Sequence, residues 1–107
     1  MQKRIYLLST LLSTLGFLFA TPALSAEADL AKAEKVYKRS CATCHGKQGE
    51  KPAMGESKII NQLKPEEIST ALSERKAGNI TGAGSPAKQR LSEQDIHNLS
   101  EYIQTLK

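Results

Sequence analysis

The only two cysteines of the chain stand three positions apart with a histidine directly behind them, as Cys41-Ala42-Thr43-Cys44-His45. This short run constrains the fold more than any other feature. A disulfide between Cys41 and Cys44 closes too small a loop to restrain the unfolded chain, because that effect grows with loop length. Dithiol redox chemistry wants the pair after a strand in a βαβ unit, whereas the flank Leu30 to Ser40 is helical in character. A structural zinc wants four ligands. The only other histidine is His97, and adjacent Cys44 and His45 are awkward in one tetrahedral shell. What remains for C-x-x-C-H is covalent attachment of one c-type haem. The two thiols must reach vinyl groups on neighbouring sides of the macrocycle, a span that suits one helical turn. His45 then offers an imidazole nitrogen to iron as the proximal ligand.

The size of the chain makes such a group useful. At 107 residues it has room for one domain, and its first stretch does not belong to that domain. Met1 to Arg4 is basic, and Ile5 to Ala20 is apolar with only Ser, Thr and Gly interrupting. Thr21-Pro22-Ala23-Leu24-Ser25-Ala26 follows, a helix breaker and small residues. That order predicts a secretory signal over residues 1–26, cleaved between residues 25 and 28, and a domain over 27–107. A retained anchor is the alternative. The apolar run falls short of the roughly 20 residues of a spanning helix, and no basic cluster follows it at once. The expectation is an exported, periplasmic protein with no membrane span after cleavage. Roughly 80 residues then remain, and a domain of that size buries little apolar area. It has no Trp or Phe after residue 20. Chains of this kind lean on a disulfide, a metal or a cofactor.

Charge excludes one class of partner. Lys3 and Arg4 leave with the signal, so 13 basic residues face 11 acidic ones in the mature chain. The signs alternate, and Tyr37 and Tyr102 are the only aromatics left. A nucleic-acid surface wants a basic stripe with stacking aromatics, so no nucleic acid is expected.

Three helices separated by loops are expected along the mature chain. The first runs from Asp29, a candidate N-cap, to Ser40, with Leu30, Ala33, Val36 and Tyr37 on one face. Residues 46–57 are rich in Gly and Lys and contain Pro52, which reads as loop. Ile59, Ile60 and Leu63 are expected in the core or against haem. Pro65-Glu66-Glu67 opens a second helix with its acids at the positive end. Ile68, Ala71 and Leu72 face inward, and Gly78 stops it. Residues 79–86 read as loop. Ser92-Glu93-Gln94-Asp95 is a capping-box pattern, ahead of a stripe of Ile96, Leu99, Ile103 and Leu106 with Tyr102 beside it.

With these residues in view, the chain resembles the class I cytochromes c, and most closely their short, single-domain bacterial monohaem members. The likeness runs through the helix with Tyr37, the Cys-Ala-Thr-Cys-His-Gly stretch, Gly55 to Ile60 and the closing helix. It implies an all-α fold of three to four helices wrapped around one haem. It also implies that the first and last helices cross, with Ala33 and Tyr102 at the expected contact.

The resemblance further implies a methionine as second axial ligand, about seven residues before the Leu-Ser that begins the last helix. Counting back from Leu91 reaches Gly84, and no Met lies after residue 54. Met54 is one substitute, nine residues beyond His45. His97 would give a bis-imidazole site but reads as a solvated histidine, and Lys88 reads as a surface lysine. The reading prefers a sixth position left empty or held by water.

The function expected is a single-electron carrier between larger redox proteins, monomeric and not an enzyme, since no acid–base constellation is present. The alternative is a haem-based binder or sensor of small ligands such as CO, NO or O2, with weak peroxidase-like activity, or a small haem subunit of a redox complex.

Overall fold

Asp29 starts the first helix, α1 (Leu30–Ser40), by accepting a hydrogen bond from Lys32 N at 2.9 Å, which satisfies one of the donors that a helix start leaves open. A computed structural model describes Gly16, residues 27–55 and residues 57–107. The expected signal over 1–26 lies, apart from Gly16, outside the described residues. After α1 come α2 (Ala42–His45), two 3₁₀ turns (Ala53–Gly55 and Ile60–Gln62), α3 (Pro65–Lys76), α4 (Ser85–Gln89) and α5 (Glu93–Gln104). The fold is all-helical, with no strand among the described residues. The three long helices are those the patterns predict. The two additional ones are short: α2 is a single turn, and α4 extends from the end of the expected 79–86 loop. Pro86 near the first position of α4 is a helix-start signal that a loop reading passes over.

Helices α1 and α3 both pack on α5. The core is Ala33, Val36 and Tyr37 from α1, Ile68 from α3, Leu91, Ile96, Leu99 and Ile103 from the closing segment, and Leu106. Ala33 is small enough to let the two backbones approach. Tyr102 stacks at a tilt on Tyr37, ring centroids 5.7 Å apart. Leu30 departs from the expected face. It is exposed, because it lies one turn ahead of the Ala33–Tyr37 stretch that is buried.

Polar contacts lock the crossing. Asn98 is buried on α5, and its Oδ1 accepts from Asp29 N at 2.9 Å and from Gln94 Nε2 at 2.8 Å. Lys32 pairs with Asp95 at 3.4 Å. Asp95 also closes the capping box of α5: Ser92 Oγ accepts from Asp95 N, and Asp95 Oδ2 accepts from Ser92 N, both at 3.0 Å. Among the described residues no helix is long and apolar enough to cross a membrane.

Candidate haem site

The C-x-x-C-H run is held as a separate turn by its own backbone. Cys41 leaves helical geometry at φ −123°, while its N–H still donates to Tyr37 O at 2.8 Å. The carbonyl of Cys41 then accepts from Cys44 N at 3.2 Å and from His45 N at 3.0 Å. One turn therefore separates the two sulfurs and brings His45 directly after the second. Gly46 ends the turn at φ +84°, and a Cβ there would collide with the Glu50 carboxylate. Only glycine suits this position. The Tyr37 hydroxyl donates to Gly46 O at 2.6 Å, and Lys51 N donates to His45 O at 2.9 Å. The backbone on both sides of the histidine is thus tied down.

Cys41, Cys44 and His45 together form one wall of a cleft of about 790 Å³, a size within the range of about 300–1,000 Å³ for cofactor sites. Its apolar walls come from distant parts of the chain: Ile60 and Leu63, Ile68 and Leu72 of α3, and Leu99 and Ile103 of α5. The segment from Ile80 to Ser85, with Arg75 and Lys88, borders another part. His45 Nδ1 is buried and has no hydrogen-bond partner. An imidazole nitrogen left this way is costly unless the ring serves another purpose. A pair of thiols, an imidazole and an apolar cleft fit a covalently attached, iron-bearing macrocycle.

The electrostatics follow from burial. Desolvation pushes the His45 imidazole below its ordinary pKa, helped by the charges of Lys88 and Arg75. The neutral ring, with a free lone pair, is the form that binds a metal. Desolvation raises the Cys41 thiol, partly opposed by Lys88. It lowers the Lys88 ammonium, and Arg75 lowers it further. Burial also pushes the Tyr37 phenol up to about 12.

The other ligand candidates are dispersed. Met54 sits at the rim of the cleft on the first 3₁₀ turn, in a left-handed conformation with φ 57°, and is 78% exposed. His97 is exposed on α5 and is not among the cleft-lining residues. Gly84 precedes α4 as its N-cap. Lys88 is not the solvated lysine that sequence suggests: it is half-buried in the cleft wall. Arg75 and Asn98 carry no signal that motif reading detects. Only the spacing Gly84 to Lys88, one helical turn, hints at their contact.

A model of the family described as cytochrome c oxidase, cbb3-type, subunit III matches residues 28–103. The chain belongs to this family of c-type cytochromes. It is similar to cytochrome c-553 of Helicobacter pylori strain 26695, 42% identical over 83 residues that cover 77% of this chain and 86% of the relative. Cytochrome c-553 of strain J99 is 40% identical over 74 residues, covering 68% and 77%. Cytochrome c-554(547) of Halothiobacillus neapolitanus is 37% identical over 91 aligned positions, covering 74% of this chain and 98% of the relative. The protein is thus a small monohaem c-type cytochrome, and its cofactor is covalent haem c with its iron.

Proposed function

We propose that this cytochrome is an exported, monomeric single-electron carrier. Its haem is held by thioethers to Cys41 and Cys44, with His45 as proximal iron ligand. The observation that carries the assignment is the imidazole of half-buried His45, whose Nδ1 is buried without a hydrogen-bond partner, in a cleft that it shares with both cysteines. When bound, haem supplies a reversible one-electron couple at its iron. The chain's own part is to hold, orient and shield. Cys41 and Cys44 anchor two edges of the ring. The tied backbone of His45 fixes the imidazole, and Leu99, Ile103 and Ile68 keep water from the cleft. Its partners are other redox proteins, as its kinship with small c-type cytochromes supports. The apolar leader with its small-residue ending supports export and cleavage near residue 26.

The test is acid-acetone extraction of protein matured in a host competent for haem attachment. Colour should stay with the polypeptide, and the intact mass should carry one haem on a chain lacking the leader. Replacing Cys41 and Cys44 by Ala should release it. Haem extracted from wild-type protein would sink the thioether assignment. A redox titration should fit one reversible one-electron step, and gel filtration should give a monomer.

A further inference from the structure

The contact between Gly84 and Lys88 bears on iron's sixth position. Lys88 of α4 lies one turn beyond the N-cap Gly84, joined to it by a hydrogen bond from Lys88 N to Gly84 O at 3.3 Å. Helical side chains lean toward the N-terminus, so Lys88 folds back over Gly84. A Cβ built on Gly84 would lie 2.8 Å from Lys88 Nζ and 3.6 Å from Cε. The amine occupies the space that a side chain at position 84 would need. Both residues line the same cleft as Cys41, Cys44 and His45.

We propose that Lys88 supplies the sixth ligand to the haem iron, its neutral ε-amine filling the place that the missing side chain of Gly84 leaves.

Chemistry supports this use of the amine. No carboxylate among the described residues forms an ion pair with Lys88, and a half-buried ammonium without a counter-charge is unfavourable. Burial and the positive charge of Arg75 both favour the neutral form. The opposing influences come from Cys41 and Cys44, which carry no ionisable proton once they are thioethers. Coordination requires only that the ammonium release one proton to solvent and offer its lone pair to iron, as metal binding does generally. Met54, on a different loop, borders the same cleft but is 78% exposed, whereas Lys88 is half-buried in the cleft wall.

The inference rests on the haem assignment above, so the first measurement is the mass of the holoprotein. A chain without covalent haem fails that assignment; every later outcome concerns Lys88 alone. Wild-type holoprotein should be low spin in both oxidation states. It should lack the methionine–iron charge-transfer band and show the near-infrared magnetic circular dichroism of two nitrogen ligands. Lys88→Ala should lose the low-spin spectrum and bind carbon monoxide when reduced. Lys88→Arg should do the same, because a guanidinium stays charged and has no lone pair to give. Low spin persisting in Lys88→Arg assigns Lys88 to charge pairing and overturns the proposal. So does a high-spin wild type, or a low-spin spectrum that Met54→Leu abolishes and Lys88→Ala does not. A second measurement needs no variant. Amine acylation of the wild-type holoprotein, read by peptide mass, should modify Lys47 and Lys107 and spare Lys88. Modification of Lys88 at the same rate overturns the assignment.

Discussion

The phenol of Tyr37 donates a buried hydrogen bond of 2.6 Å to the carbonyl of Gly46, linking α1 to the residue that follows His45, the proposed haem ligand. This bond crosses the C-x-x-C-H turn and closes it from behind. It makes an aromatic residue of the helix–helix core part of the support for His45.

Tyr37→Phe should therefore cost about 0.5–1.5 kcal/mol, the net worth of one hydrogen bond, since Gly46 O keeps a second bond from Gly49 N at 3.2 Å. The phenol's pKa is raised to about 12 by burial. The stability it confers is complete below its unfolded value of about 10 and is lost as pH climbs through the folded one. Denaturant titrations of both proteins should show a gap that is constant from pH 6 to 9, in order-of-magnitude terms, and that narrows in stronger alkali. A gap that widens there contradicts the stated environment of Tyr37.

Gly46→Ala should be worse tolerated than a typical surface change. Its φ of +84° strains any L side chain, at about 1–3 kcal/mol, and the added methyl must move the Glu50 carboxylate. Pairing it with Glu50→Ala should recover the steric part and leave the backbone part. Thermal melts of the single and double variants measure the split.

The capping box of α5 gives an acid dependence. Hydrogen bonds from Ser92 hold the Asp95 carboxyl below the usual range, aided by Lys32. A depressed carboxyl contributes stability above its unfolded value of about 3.9, lost as pH falls through the lower folded value. The difference between wild type and Asp95→Asn should then be full at neutral pH and vanish in strong acid. Ser92→Ala should cost about 0.5–2 kcal/mol at pH 7. Equal stability of all three at neutral pH would remove the cap from the account.

Without its cofactor the domain should lack a cooperative fold. The cleft of about 790 Å³ separates α3 from the C-x-x-C-H turn, and apolar faces of Ile60, Leu63, Leu72 and Leu99 line it. Ordering the chain costs about 1.5 kcal/mol per residue, which so small a core scarcely offsets. Replacing Cys41 and Cys44 by Ala, with no haem attached, should yield a shallow, non-cooperative melt by circular dichroism. A sharp transition would show that the helices pack by themselves.

The sequence by itself determined the features that depend on near neighbours. Asp29 and Ser92 announce helix starts because a capping side chain bonds a backbone amide three residues away. The Ile96, Leu99, Ile103 and Leu106 stripe follows from helical periodicity. The spacing of Cys41, Cys44 and His45 restricts their shared chemistry before any fold is known. Only the tertiary structure decided what surrounds those residues. Lys88 has the composition of a surface residue, and its burial depends on walls contributed by α3, α5 and the Ile80–Ser85 segment. Leu30 fits the apolar face of α1 but lies ahead of the part that is buried. Tyr37 meets Gly46 only because the turn at Cys41 reverses the chain onto α1. Solvent exposure and long-range hydrogen bonds are set by elements distant in sequence, and local pattern carries no information about which of them will arrive.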